Sequence, residues 1–194
     1  MTTFFKNKEY CDQIFEKSIF KTQAMMDMSF ENCTFHNCDL QEADFSRTRF
    51  IECRFENSDL SNTKWVNTRV REVHFLKCKL IGIQWVQCDD LCNPTFEECH
   101  LNYSNFTSMK LKKIRFLKSK LREVDFSEAE LSESDFRDTD LLNARFNNTS
   151  LLKCDFRGAT QYLLNPFQNK IKGARFSMPD AMGLLSGLGI ILEP

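Results

Sequence analysis

The sequence predicts an all-β solenoid, a chain wound continuously into a four-sided coil. Two patterns predict the coil: a large apolar residue at every fifth position, and, through the central repeats, a small residue two positions before it. A third, the recurrence of Leu/Phe and charge patterns at ten and twenty residues, predicts the four sides.

The five-residue period comes first. From Phe5 the series reads Phe5, Tyr10, Phe15, Phe20, Met25, Phe30, Phe35, Leu40, Phe45, Phe50, Phe55, Leu60, Trp65, Val70, Phe75, Leu80 and Trp85. After a slip of one residue it resumes as Leu91, Phe96, Leu101, Phe106, Leu111, Phe116, Leu121, Phe126, Leu131, Phe136, Leu141, Phe146, Leu151 and Phe156. An amphipathic helix is excluded, because five residues advance a helix by about 500° and the apolar stripe would rotate away. A straight strand is excluded too, since its side chains alternate and an odd spacing would send successive Phe residues to opposite faces. A chain that turns once per five residues keeps every large side chain inside.

The small positions follow from the same geometry. Residues two before the large ones share their side of the backbone, and they read Cys33, Cys38, Ala43, Thr48, Cys53 and Ser58, later Ser119, Val124, Ala129, Ser134 and Thr139. A narrow core requires small side chains there. Six of the nine cysteines, Cys33, Cys38, Cys53, Cys78, Cys99 and Cys154, occupy this position. They are therefore expected as reduced filler rather than as a disulfide framework.

In the second series Leu and Phe alternate strictly, so a coil of twenty residues stacks Phe on Phe and Leu on Leu, whereas a coil of fifteen would mix them. Charges agree. Lys110 to Arg122 holds seven basic residues and no acidic one, and the next stretch, Glu123 to Asp140, is acidic apart from Arg137. Offsets of twenty pair Lys110 with Glu130, Lys113 with Glu133, Arg115 with Asp135, Lys118 with Asp138 and Lys120 with Asp140. At ~4.8 Å per coil the repeats make a rod of roughly 37 Å.

The period divides the chain into a repeat domain, 1–160, and a C-terminal segment, 161–194. Within the first, the extra residue after Trp85 marks an irregular stretch at 86–95 in which Asp89 and Pro94 fall at the small inward position. With Asp90 they form a candidate kink or contact region; a tolerated bulge and a dedicated contact loop both remain open. In the second, Ser177-Met178-Pro179-Asp180 reads as a helix start with Ser177 capping and Asp180 reaching back. Ala181, Leu184, Leu185 and Leu188 follow at helical spacing, Gly189 ends the helix, and Ile190, Ile191 and Leu192 read as a short strand. So short an element cannot hide its apolar face alone. Phe176, Met178, Ala181, Leu184, Leu185, Leu188, Ile190 and Ile191 are therefore candidates to cap the last coil, to meet a second copy across a two-fold axis, or both.

Composition bounds the function. Basic and acidic residues number 26 and 27, for a net charge of -1, which gives no bulk attraction to nucleic acid or to an anionic membrane. The first thirty residues hold no apolar run suited to a signal or span, so a cytoplasmic protein is expected. Cys88, Cys92 and Cys99 lack a His at ligand spacing, and His36, His74 and His100 fall at outward positions of unrelated repeats, so no metal or other cofactor is expected. A filled rod offers no pocket and the chain has no Gly-rich phosphate loop, so the reading is of a protein that is not an enzyme.

The units Ala43-Asp44-Phe45, Ser58-Asp59-Leu60, Ser134-Asp135-Phe136, Thr139-Asp140-Leu141 and Cys154-Asp155-Phe156 resemble the A(D/N)LXX consensus of the pentapeptide-repeat family. The stretch from Asn169 to Pro179, with Leu184-Leu185 and Leu188-Gly189-Ile190, resembles the C-terminal segment of the subgroup of albicidin-resistance, microcin-immunity and quinolone-resistance proteins. That resemblance implies a right-handed quadrilateral β-helix dimerising through its C-terminal segment. It also implies binding to DNA gyrase or topoisomerase IV, protection of that enzyme from a poison, and a DNA-like surface as the means. The long loops of the plasmid quinolone-resistance members are absent here. Duplex DNA carries about one charge per 1.7 Å, so a rod of ~37 Å would need roughly 20 negative charges. Bulk mimicry is excluded by the net charge. One acidic face, from Glu123, Glu128, Glu130, Glu133, Asp135, Asp138 and Asp140, is the candidate for a partial match; pairing with the basic coil beneath is the alternative.

Overall fold

The computed structural model describes residues 7–186. Strands β1 (Glu9–Cys11), β2 (Ile14–Glu16), β3 (Ser29–Glu31), β4 (Thr34–His36), β5 (Arg49–Ile51), β6 (Arg54–Glu56), β7 (Arg69–Arg71) and β8 (His74–Leu76) precede the irregular stretch. After it come β9 (Asp90–Cys92), β10 (Thr95–Glu97), β11 (Arg115–Leu117), β12 (Asp155–Phe156) and β13 (Arg175–Phe176), then helix α1 (Gly183–Ser186). The chain is an all-β solenoid of about 8 turns with a short C-terminal helix.

Every side is a parallel ladder. Side one runs β1-β3-β5-β7-β9 and side two runs β2-β4-β6-β8-β10-β11. Phe30 pairs with Phe50 and Phe35 with Phe55, a coil of twenty residues. Sides three and four are ladders of single bridges, such as Asp39 with Asp59 and Asp44 with Lys64. The four sides expected from the Leu/Phe alternation are therefore present.

Corners explain how five residues suffice for one side. From Tyr10 to Leu151 the residue two after each large one except Trp85 is left-handed, from Asp12 (φ 54°) through Glu42 (φ 56°) to Lys153 (φ 58°). Many corners are closed like the one at Leu40, whose carbonyl accepts the Ala43 N–H at 3.0 Å. Positive φ in the third residue is the type II turn geometry. A left-handed non-glycine residue costs about 1–2 kcal/mol. That cost is offset at the corner itself, where the same residue donates to the next coil, as Glu42 N does to the Ser61 carbonyl at 2.9 Å.

Inside, like stacks on like. Side two carries a column of rings in which Phe96 lies 5.3 Å from Phe116 at 10°, and Phe136 lies 4.8 Å from Phe156 at 2°. Side four carries a second column, Phe106-Phe126-Phe146, and the columns meet edge-on, as Phe116 and Phe126 do at 5.7 Å and 67°. Leu101, Leu121 and Leu141 fill side three, fully buried. The small positions do more than save space: Thr48 Oγ1 donates to the Met25 carbonyl at 2.6 Å and Cys53 Sγ to that of Phe30 at 3.3 Å. A short side chain with one polar hydrogen both fits and satisfies a buried carbonyl. All nine cysteines are free thiols, and the six at this position are the buried ones.

The ladder runs past residue 160. Ser150 pairs with Lys170 and Asp155 with Arg175, so residues 170–176 continue the coil. Phe176 extends the side-two column, 5.2 Å from Phe156. Tyr162 and Leu164 are buried behind it and close the core. The expected Ser177 cap is not formed: Ser177 Oγ accepts the Gly158 N–H at 3.0 Å, and its carbonyl accepts the Ala181 N–H. With Ser177 turned to the preceding coil, a short 3₁₀ turn, Asp180–Met182, leads into α1 without a side-chain cap. Leu188, Ile190 and Ile191, like the strand expected at 190–192, lie outside the described residues.

Candidate interaction surfaces

Three places were singled out by the sequence: the acidic run, the irregular stretch and the C-terminal segment. The structure treats each differently.

The acidic residues do not share a face. Because a coil takes twenty residues, the run from 123 to 140 makes almost a full circuit. Glu130 lies on side one, Asp135 on side two and Asp140 on side three, as their bridges to Lys110, Arg115 and Lys120 show. Glu123, Glu128, Glu133 and Asp138 occupy the left-handed corners between sides. Together they form a girdle one coil high. The single acidic face expected from sequence is replaced by this ring.

Nor is the charge ladder built as expected. Of the five pairs at twenty-residue offset only Lys113 and Glu133 meet, at 3.8 Å. Asp135 is held by Arg137 two residues on, and Asp140 by Arg122, at 2.7 and 2.6 Å. Side chains two apart on an extended chain point the same way, so Arg137 reaches Asp135 without spanning a coil, whereas Arg122 reaches Asp140 from the preceding coil, eighteen residues away. Glu128 accepts the Ser108 hydroxyl at 2.9 Å and Glu130 the Ser132 N–H at 3.0 Å. Burial pushes the Glu130 carboxyl up, but the Ser132 and Ser150 hydrogen bonds and nearby Lys112 outweigh it and hold the group below its usual range.

The irregular stretch is a seam. Its coil holds one more residue, so Arg69 pairs with Asp90 and Lys79 with His100 at an offset of twenty-one. The extra residue is absorbed in a 3₁₀ turn, Trp85–Gln87, whose Gln84 and Trp85 carbonyls take the Gln87 and Cys88 N–H groups. Asp89 was expected inside; it is exposed, ion-paired with Arg69 at 2.7 Å, while Cys88 packs against the core. A thiol is far cheaper to bury than a carboxylate, and burial pushes the Cys88 thiol up to about 12. Asp90 pairs with Arg71 at 2.5 Å, and Pro94 is buried at the small inward position.

The coil is bonded backward but not forward. Asp89 and Asp90 N–H groups both point to the Thr68 carbonyl, at 3.0 and 3.4 Å. Ahead, β9 is the last strand of its sheet, and the side-one ladder resumes only with Lys110 and Glu130. Among the described residues no backbone hydrogen bond joins residues 87–94 to residues 107–115, although β10 and β11 pair immediately beyond. Among the described residues the Leu91, Asn93 and Lys110 N–H groups, each of which would donate across the gap in a regular coil, have no backbone acceptor there. Two cavities flank the gap. One of about 590 Å³ is lined by Asp90 to Pro94, Lys110 to Lys112, Ile114 and Glu130, and one of about 440 Å³ lies between Val86 to Leu91 and Thr107 to Leu111. The inserted residue was legible in the sequence; the missing ladder bonds were not.

At the C-terminal end, Phe176 and Leu184 pack against the core, Ala181 and Leu185 are half-buried, and Met178 is exposed. Leu163, Phe167 and Met182 are also exposed. Leu163 and Phe167 escape a period-based reading because they fall where the repeat lapses.

Among the described residues no group of three His, Cys, Asp or Glu side chains could hold a metal ion. No helix there is long and apolar enough to cross a membrane. His36 and His74 lie 3.5 and 3.7 Å from Glu56 and Glu97, on different coils.

Comparison with known proteins matches this architecture. Three structures of QnrB1, a plasmid-mediated fluoroquinolone resistance protein, superpose on it. One trypsin-treated single-substitution form gives a TM-score of 0.73 at 18% identity, covering 95% of this chain and 99% of that one. A second such form gives 0.70 at 17%, covering 96% and 100%, and the full-length protein 0.60 at 19%, covering 94% and 100%. No curated protein matches the sequence. The family model for the pentapeptide repeat region matches residues 28–91 and 87–160. With its coil, corners and stacked core repeating in step with that match, the chain belongs to the pentapeptide repeat family, whose members are largely non-catalytic.

Proposed function

We propose that this chain is a non-enzymatic protein that binds DNA gyrase or topoisomerase IV and protects the enzyme from a poison such as albicidin, a microcin or a quinolone. The observation that carries the reading is the extent of the likeness to the fluoroquinolone resistance protein, which spans 95% of this chain and 99% of that one. It therefore takes in the C-terminal segment as well as the repeats. Homodimerisation through that segment belongs to the same reading, and exposed Leu163, Phe167, Met178 and Met182 supply an apolar surface for it.

The reading does not require a DNA-like acidic face. The girdle is about 4.8 Å high, while a duplex repeats its charge every ~1.7 Å along its whole axis. A second reading, a scaffold for a different protein partner, is favoured by the open seam.

The deciding experiment is gyrase supercoiling of relaxed plasmid with albicidin, a microcin or a fluoroquinolone present, with and without the purified chain. Rescue against at least one poison is expected. No rescue from any of them, with no binding to either topoisomerase, leaves the scaffold reading.

A further inference from the structure

The seam is unlike the rest of the rod in three independent respects. Its lips carry backbone that is unpaired among the described residues: the Leu91 and Asn93 N–H groups on one side and the Lys110 N–H on the other. Unpaired N–H groups along a strand edge are a template for pairing with another chain, so this edge has bonding capacity to spare. Its floor is apolar, with Leu91, Pro94, Leu111 and Ile114 lining the larger cavity. Its rim carries an excess of one positive charge: Lys110 and Lys112 are exposed and, among the described residues, make no ion pair within 4.0 Å, Asp90 is neutralised by Arg71, and Glu130, hydrogen-bonded to the Ser132 N–H, keeps its charge.

We propose that the seam between residues 87–94 and 107–115 is a docking groove for an extended acidic segment of a partner protein. The segment adds its backbone to the unpaired edge, as in strand addition to an open sheet, with alternate side chains in the apolar floor. Its carboxylates lie against Lys110 and Lys112, which selects an acidic segment over a basic one. The bare edge favours a polypeptide over a nucleic acid, because only a polypeptide backbone matches both donors and acceptors at strand spacing. The proposal rests on neither reading of the overall function, and a failed gyrase assay leaves it untouched.

The test uses the whole chain and a dye-labelled peptide, Glu-Val-Glu-Val-Glu, followed by fluorescence anisotropy. Three probes accompany it: a Lys-Val-Lys-Val-Lys peptide, the acidic peptide N-methylated at alternate amides, and an oligothymidylate of similar charge. Saturable binding of the acidic peptide is expected, at least about tenfold tighter than the basic or N-methylated peptide. The double variant Lys110→Glu, Lys112→Glu loses it by a similar factor, and Lys170→Glu, Lys172→Glu, on the same side but far from the seam, retains it. Amide exchange supplies a readout that needs no ligand: Leu91, Asn93 and Lys110 exchange faster than Leu131, whose N–H donates to Ser150 at 2.8 Å, and slow down with peptide bound. Equal binding of both peptides, displacement by the oligothymidylate, no binding up to about 1 mM, or protected seam amides in the free chain would each overturn the proposal.

Discussion

Phe136 and Phe156 stand twenty residues apart in sequence and 4.8 Å apart in space, their rings parallel to within 2°. That contact is the fold in miniature, because each coil is held mainly by the coil above and the coil below. Removing one ring from the column breaks two stacks, since Phe136 also lies 5.3 Å from Phe116. Phe136→Ala is expected to cost ~3–5 kcal/mol, with neighbouring coils uncoupled as in other one-dimensional folds. Urea denaturation measures this; a loss under about 1 kcal/mol would mean that the core is not stacked in this way.

Trp65 and Trp85 occupy the same column with different partners. Trp65 Nε1 donates to Thr63 Oγ1 at 2.7 Å, and that hydroxyl donates on to the Leu60 carbonyl at 2.7 Å. Trp85 has Ile83 in the corresponding place, and its buried Nε1 has no partner among the described residues. Thr63→Val leaves Trp65 in the same position and is expected to destabilise by ~1–3 kcal/mol, the cost of an unsatisfied buried donor. An unchanged denaturation midpoint would count against this hydrogen bond.

Two histidines give the chain a pH response. Burial, with Arg54 beside it, holds His74 below its ordinary value of 6.5, and burial with Lys120 and Lys79 does the same for His100. In the window just below 6.5 the unfolded chain therefore binds more protons than the folded one. Stability is full above that value and falls as the pH drops through the folded values. Melting temperature is expected to decline from pH 7 to pH 5, and the double variant His74→Gln, His100→Gln to flatten that slope. A slope that survives the double variant assigns the effect elsewhere.

Cysteine reactivity reports on the coil directly. Only Cys11 and Cys92 are exposed, while Cys53, Cys88 and Cys154 are pushed up to about 12 by burial. A thiol reagent is expected to modify two cysteines in the native chain, and all nine after denaturation. Rapid native reaction of any of the six thiols at the small inward position would contradict their placement.

What was legible in the sequence was whatever depends on the period. The five-residue spacing of large residues, the small partners two before them and the Leu/Phe alternation all translate into positions, because the backbone geometry is the same at each repeat. What depends on competition between neighbours was not legible. Asp89 sits at an inward place by counting, yet Cys88 beside it is cheaper to bury, and the extra residue lets the chain choose. Asp135 lies above Arg115 by counting, yet Arg137 is closer along its own strand. The candidate site divides in the same way. The irregular stretch was located by its slip of register, but the unpaired Leu91, Asn93 and Lys110 N–H groups lie beyond the 3₁₀ turn at Trp85, where no residue type or spacing signals a lost ladder bond. The acidic run was visible, and its wrapping around the rod was already implied by a twenty-residue coil.

The most direct measurement of the proposed role is binding of the purified chain to purified gyrase and to topoisomerase IV, immobilised and free of DNA. Saturable binding to at least one of them is predicted, with rescue of supercoiling over the same concentration range. Absence of binding to both, by a chain whose melting curve shows it folded, would contradict the proposed role.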